Sequence, residues 1–253
     1  MPSSSPESAE LRLAFGNTAE DYERGRPGWT DAVAEVGGLP ASAEVLDLGA
    51  GTGKLTRVLG RRFASITAVE PDPSMRAVFS QATVCCKVLE GSAESIPLAD
   101  GSVDGVFCAD CFHWFDWPVA IAEIERVLRP EGVLVMGFHA NGGDLDPPYP
   151  QAARDAFDRY RRPDVEPGGK IYESGRWKEP FARSRFRPLC EEVFEHEERL
   201  GRDDMISLVL SQSIIAALPE DERLALAGEL RTLIPDVTFR LPVRDEIHWT
   251  RLA

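Results

Sequence analysis

The stretch Val45-Leu46-Asp47-Leu48-Gly49-Ala50-Gly51-Thr52-Gly53-Lys54-Leu55 decides how this chain folds. A short apolar strand, Glu44–Leu48, runs into three glycines spaced two apart. A helix follows over residues 54–63, with Leu55, Val58, Leu59 and Phe63 on one face. Glycines there permit positive φ and let a ligand approach the backbone without a Cβ in the way. The helix start behind them offers free N–H groups. The spacing speaks against two common readings. A dinucleotide fingerprint would need its third glycine at position 54, where Lys54 stands. A phosphate loop would close on Gly-Lys-Ser/Thr, and here Leu55 follows Lys54.

From this turn to His139, short apolar runs alternate with helical patterns, the mark of a parallel sheet built from βαβ units. Strands are expected over 65–69, 84–89, 103–108 and 133–138, with a helix over 74–81. Asp116 is expected to cap a further helix, with Pro118 in its first turn and Ile121, Ile124 and Leu128 facing inward. Arg129-Pro130-Glu131-Gly132 stops it, because a residue before proline avoids helical geometry. Upstream, residues 1–10 form a Ser/Pro-rich leader expected to be disordered. Residues 11–38 form a helical cap, broken at Gly25-Arg26-Pro27-Gly28. Residues 39–140 form the core. The regular alternation ends after His139. Asn141-Gly142-Gly143 and Pro147-Pro148 make a long turn, residues 151–162 are helical, and an irregular stretch rich in Gly, Arg and aromatics begins at Pro163. Residues 141–186 are therefore expected to be an inserted lid that selects the substrate. Residues 187–253 complete the sheet: a strand over 187–198, helices over 204–217 and 220–234, and a closing strand. In that strand Phe239, Leu241 and Val243 face one way, and Ile247 and Trp249 continue it.

With 253 residues, 43% of them hydrophobic, the chain can bury a sizeable core. Its net charge of -14 repels phosphate backbones and anionic headgroups, so nucleic acid and membrane surfaces are not expected partners. No apolar run approaches the roughly 18 residues of a membrane helix, and the leader lacks the basic and apolar regions of a signal peptide. A cytoplasmic protein, monomer or homodimer, is expected. Cys85-Cys86 lies in a strand-like run, and Cys108 and Cys111 form a lone CxxC. Zinc would want a second pair, so buried reduced thiols and no metal are expected. His196, among Glu191, Glu192, Glu195, Glu197 and Glu198, belongs to a solvated charged edge.

Three further segments continue the pattern of the glycine turn. Ala68-Val69-Glu70-Pro71-Asp72-Pro73-Ser74-Met75 sets an acidic residue at the end of the second strand, where a carboxylate can accept both hydroxyl protons of a ribose. Gly91-Ser92-Ala93-Glu94-Ser95-Ile96-Pro97 leads on to Val103-Asp104. Arg126-Val127-Leu128-Arg129-Pro130-Glu131-Gly132-Val133-Leu134 comes last. The ordered set, over roughly residues 40 to 140, resembles the class I S-adenosylmethionine (SAM) dependent methyltransferases. Phe112-His113-Trp114-Phe115-Asp116 and Tyr22-Glu23-Arg24-Gly25-Arg26-Pro27 are similar to the type 11 group, which is ubiquinone-biosynthesis-like and trans-aconitate-methyltransferase-like. The resemblance implies an α/β, doubly wound, Rossmann-like seven-stranded sheet, mostly parallel with an antiparallel last strand, and SAM as cofactor. It implies that Asp47 and the turn Gly49, Ala50, Gly51 and Gly53 shape the methionine end. Glu70, beside Pro71, takes the ribose, and Met75 packs on the adenine. Ser92, Ala93 and Glu94 edge the adenine, with Ser92 where many relatives carry Asp. The backbone around Asp110 faces the amino-acid portion. Tyr22 and Arg26 close over the site, Arg26 pairing with the cofactor carboxylate.

The chemistry expected is direct displacement, an O, N or C nucleophile of a small molecule attacking the sulfonium methyl. Alignment and exclusion of water are then the main tasks. A sulfonium favours aromatic faces, so Phe15, Tyr22, Phe112, Trp114 and Phe115 are candidate walls. Tyr172, Trp177 and Phe181 of the lid offer apolar contact to substrate, with Lys170, Arg176 and Arg183 for charge. His113, after the fourth strand, suits a general base because histidine titrates near neutrality; His139 is a second candidate on the substrate side. Two other readings stand beside this one: a SAM-binding protein without methyl transfer, and a NAD(P)-dependent oxidoreductase, which Lys54 disfavours.

Overall fold

β1 (Glu44–Leu48) is buried at every position after Glu44 because strands lie on both sides of it. In the computed structural model, which describes residues 14–84, 86–139, 150–160 and 168–253, it belongs to a seven-stranded sheet. The other strands are β2 (Ser65–Glu70), β3 (Val88–Glu90), β4 (Val103–Ala109), β5 (Leu128–His139), β6 (Cys190–Leu200) and β7 (Phe239–Arg251). Their order is β3-β2-β1-β4-β5-β7-β6. The pairs among β1 to β5 are parallel, and β7 runs antiparallel between β5 and β6. From β1 the chain winds outward to β3 on one side and to β5 on the other, so the order reverses between β1 and β4. Ligands of such sheets bind beyond the strand ends at that reversal.

Nine α-helices surround the sheet among the described residues: α1 (Ala19–Gly25), α2 (Lys54–Arg62), α3 (Pro73–Ala82), α4 (Trp117–Val127), α5 (Gln151–Asp158), α6 (Gly168–Glu173), α7 (Arg202–Leu210), α8 (Ser213–Ala216) and α9 (Glu220–Leu233). The period-2 alternation of the strands splits the core into two layers. Leu46, Leu48, Val106 and Cys108 face α4 and the segment 171–186, while Val45, Phe107, Val133 and Val135 face α2 and residues 29–39. A third cluster joins α5, α7 and α9 to Leu241 and Val243 of β7. No described helix is long and apolar enough to cross a membrane.

Several expectations need correction. β3 begins at Val88, not at residue 84, where Val84 is 98% exposed; Cys86 lies in a bend before it, and Cys85 falls outside the described residues. Of the described cysteines only Cys108 is buried; Cys190 is exposed on β6. Asp116 occupies the cap position of α4, yet its side chain makes no capping hydrogen bond; its backbone N–H instead donates to Glu94 Oε1 at 3.0 Å. The helix expected over 204–217 is broken at Ser211. The Ser211 hydroxyl turns back to the Leu208 carbonyl (2.9 Å), and its carbonyl accepts from Arg26 Nη2 (3.0 Å), which takes an acceptor the helix would have used. The leader, the turn over 140–149 and residues 161–167 lie outside the described residues.

Candidate functional site

The C-terminal ends of β1, β2 and β4 open into two adjoining cavities, which share Tyr22, Gly49, Gly51, Ala109 and Asp110. The larger, about 730 Å³, is lined by Phe15, Glu70, Pro71, Met75, Ser92 and Trp114 among others. The smaller, about 370 Å³, is lined by Arg26, Trp29, Asp47, Thr52, Lys54 and His139 among others.

The glycine turn floors both. Gly49 and Gly51 hold φ of +72° and +56°. A Cβ on Gly51 would meet nothing within 4 Å, so its missing side chain is open cavity. A Cβ on Gly53 would lie 2.3 Å from Thr83 Oγ1 and 2.8 Å from the Phe79 ring. Gly53 therefore serves packing at the start of α2 and lines neither cavity. At the end of β2, Glu70 Oε2 accepts from Gly51 N (2.8 Å) and Oε1 from Asp72 N (2.9 Å). Burial raises its pKa, and these N–H groups restrain the rise. Each oxygen keeps a lone pair for a diol. Asp72 caps α3 through Ser74 N and Met75 N (2.8 and 2.9 Å), which fixes Met75 in the larger cavity.

Asp47 is 1% exposed. Its Oδ2 accepts from the Thr56 hydroxyl, while Oδ1 has no hydrogen-bond partner among the described residues. Burial pushes its pKa up to about 7, against the Thr56 bond. The Thr52 hydroxyl is likewise buried and unpartnered. Lys54, which lines the same cavity, makes no ion pair among the described residues, and burial lowers its pKa. Arg26 donates from Nε to Ser211 Oγ at 3.0 Å and lies 5.5 Å over the Tyr22 ring. An orphaned acceptor in the same cavity as two cations matches a zwitterionic amino acid, and the carboxylate of Glu70 matches a ribose. The residues present fit SAM.

The aromatic expectations divide. Phe15 stands edge-on to both Tyr22 and Trp114 (5.9 and 6.1 Å), and the three line the larger cavity with Phe115. Phe112 is instead fully buried, packed on Phe115, Trp177 and Phe181. Trp177 and Phe181 are core too, and Tyr172 stacks on Phe138 at 4.1 Å and donates to Glu246. These rings anchor the inserted segment to the sheet, because a ring that fills a void between helix and strand is worth more than one left over a cavity. His113 lines neither cavity. Its ring lies 4.9 Å from Trp114, its Nδ1 is buried without a partner, and burial lowers its pKa to about 4. His139 does line the smaller cavity, with Nδ1 paired to Asp110. Burial raises the Asp110 pKa, but the His139 charge and bonds prevail and hold it down at about 2. Thr52, Lys54, Asp72, Ala109 and Cys111 were missed, although each sits at a strand end or in the first turn after one. His196 faces Asp245 (3.4 Å) rather than its glutamate neighbours, and no three His, Cys, Asp or Glu side chains cluster as a metal group among the described residues.

This fold and this crevice define a nucleotide-type α/β enzyme that takes an adenosyl amino acid. Residues 46–136 match a family model described as a methyltransferase domain. An uncharacterised methyltransferase-like protein of Schizosaccharomyces pombe is 35% identical over 221 residues, covering 85% of this chain and 84% of the relative. An uncharacterised methyltransferase of Mycobacterium bovis is 48% identical over 127 residues, about half of each chain (49% and 51%). A solved structure from Anaeromyxobacter dehalogenans, described as a type II methyltransferase, has a TM-score of 0.61 at 26% identity over 90% of this chain and 98% of that one. The chain belongs to the class I SAM-dependent methyltransferases.

Proposed function

We propose that this enzyme moves the SAM methyl group to an O, N or C nucleophile of a small molecule, by direct displacement at the junction of the two cavities. The observation that carries the reading is Asp47 Oδ1, buried and unpartnered in a cavity that also holds Arg26 and Lys54. An unpaired buried carboxylate oxygen is costly unless a ligand satisfies it. When bound, SAM supplies a methyl carbon already activated by its sulfonium, so the protein need not activate the leaving group.

The residues then divide the work. Asp47 takes the ammonium, Lys54 and Arg26 face the carboxylate, and Glu70 accepts from the ribose hydroxyls. Met75, Ser92, Ala93 and Glu94 enclose the base. Tyr22 and Asp110 line both cavities, where they would border the reactive end of the bound cofactor. The rings of Phe15, Tyr22 and Trp114 exclude water and offer faces to the cation. His113 lines neither cavity, so the geometry does not support it as the base for a proton on the nucleophile. Burial lowers its pKa to about 4, so the ring is neutral at physiological pH, and the displacement is proposed on a nucleophile that needs no base from His113. Calorimetry with SAM, its demethylated product S-adenosylhomocysteine and NAD tests the reading. Binding of the first two alone is expected, with methyl release from SAM against an acidic-metabolite panel. Binding of NAD in preference to both would overturn it.

A further inference from the structure

The cofactor reading leaves a group of buried charges behind the smaller cavity without a task. His139, at the end of β5, is engaged on both ring nitrogens. Nδ1 pairs with Asp110 Oδ2, and Nε2 lies 3.3 Å from the Gly28 carbonyl and 3.4 Å from Asp245 Oδ1. Asp245 sits opposite His139 in the β5–β7 register, is 0% exposed, and lines neither cavity. Its other oxygen accepts from Thr30 N at 3.4 Å. Gly28 N donates to Glu198 Oε1 of β6 at 3.1 Å. Between them Trp29 stacks on the His139 ring, 4.0 Å away and inclined 27°. That stacking needs Gly137, where a Cβ would stand 2.8 Å from the indole. Three consecutive residues, 28 to 30, are thus each fastened to one buried group. The same strap leads back through Pro27 into Arg26 and Tyr22, which wall the cofactor cavities.

We propose that His139 and Asp245 are positioning residues: the Asp110–His139–Asp245 chain clamps the strap over residues 28–30 to the sheet and so holds Tyr22 and Arg26 over the cofactor. The inference rests on the crevice being the SAM site. It depends on charge as well as contact. A neutral imidazole has one N–H and can donate to Asp110 or toward Asp245 and Gly28, not both; the imidazolium donates in both directions. Other charged groups face the clamp. His196 of β6 shares Asp245 Oδ1 (3.4 Å), Glu198 of β6 holds Gly28 N, and Arg26 acts on Asp110. Glu246, next along β7, is turned away toward Tyr172 and Arg244. Burial alone would lower the His139 pKa, but Asp110 and Asp245 outweigh it and raise it above the ordinary 6.5. The clamp is therefore closed on the acid side and opens as pH rises through that raised value. Loss of the Asp245 charge brings the opening to lower pH.

The test is calorimetric affinity for S-adenosylhomocysteine between pH 6 and 8.5, for the wild type, Asp245→Asn and His139→Gln. The titration of the ligand amine and of Asp47 is common to wild type and Asp245→Asn and cancels in their comparison. The wild type is expected to weaken on the alkaline side, and Asp245→Asn to weaken about one pH unit earlier and to bind about tenfold less tightly at pH 8. His139→Gln is expected to bind weakly at every pH with no alkaline loss. Parallel profiles for wild type and Asp245→Asn, or unchanged affinity in His139→Gln, overturn the proposal. Should either variant not fold, the wild type decides alone. A stacked imidazolium quenches indole emission, so the Trp29 signal, read as the difference from Trp29→Phe, must rise at the pH where affinity falls. Separate midpoints overturn the clamp. Absence of binding by wild type at pH 6 removes instead the cofactor reading beneath it.

Discussion

Asp47 shows how a single side chain couples fold to ligand. Burial holds its carboxyl near pH 7, half protonated at neutrality. An ammonium placed beside Oδ1 favours the ionised form, so cofactor binding must expel protons. Titration with S-adenosylhomocysteine at pH 6.5 to 7, in buffers of different ionisation enthalpy, should reveal release of a fraction of a proton, absent in Asp47→Asn. Equal apparent enthalpies in all buffers for the wild type would contradict it. Asp47 and Glu70 were legible in the sequence because the strand ends fix where they point. Phe112 was not, since a core and a cofactor wall ask the same apolar ring of the chain, and only the neighbours Trp177 and Phe181, more than sixty residues on, settle which it serves.

At the scale of elements, α1 and α7 come so close that a Cβ on Gly25 would stand 2.1 Å from Leu208 N. That neighbour is backbone and cannot swing aside. Gly25→Ala should cost about 1–3 kcal/mol and weaken S-adenosylhomocysteine binding, because α1 carries Tyr22. Gly228 inside α9 is the contrast: a Cβ there meets nothing within 4 Å, so Gly228→Ala should stabilise by about 0.5–1 kcal/mol. Thermal melts of the two variants, moving in opposite directions, check both. The element types followed from periodicity, since strands and helices repeat within a few residues. The break at Ser211 did not, because Arg26, its partner, lies 185 positions away in the chain. The shorter β3 was hidden too: apolar letters at 84–86 fit a strand, but Val84 found nothing to cover it.

For the molecule as a whole, the segment over residues 171–181 is held by the sheet rather than poised above it. Trp177 is 0% exposed, meets Phe138, Tyr172 and His248, and donates from Nε1 to the Tyr172 carbonyl at 3.2 Å. Trp177→Ala should therefore lower global stability by about 3–5 kcal/mol in denaturant unfolding; unaltered stability would return that ring to a role at the ligand. The parallel sheet was readable from the alternation of elements, while its doubly wound order came only with the family resemblance, because alternation alone does not say on which side of β1 each new strand is laid.

One strand carries a lasting constraint. β5 jumps register between Leu128 and Val133, where four residues stand against one of β4, and from Val133 to His139 it pairs with β7 without a break. A strand alternates faces at every step, so adding or deleting one amino acid between Val133 and His139 would turn His139 to the opposite side of the sheet, away from Asp110. Descendants of this gene can change length in the irregular stretch before Val133, but the seven positions from there to His139 must be inherited in number, whatever their spelling.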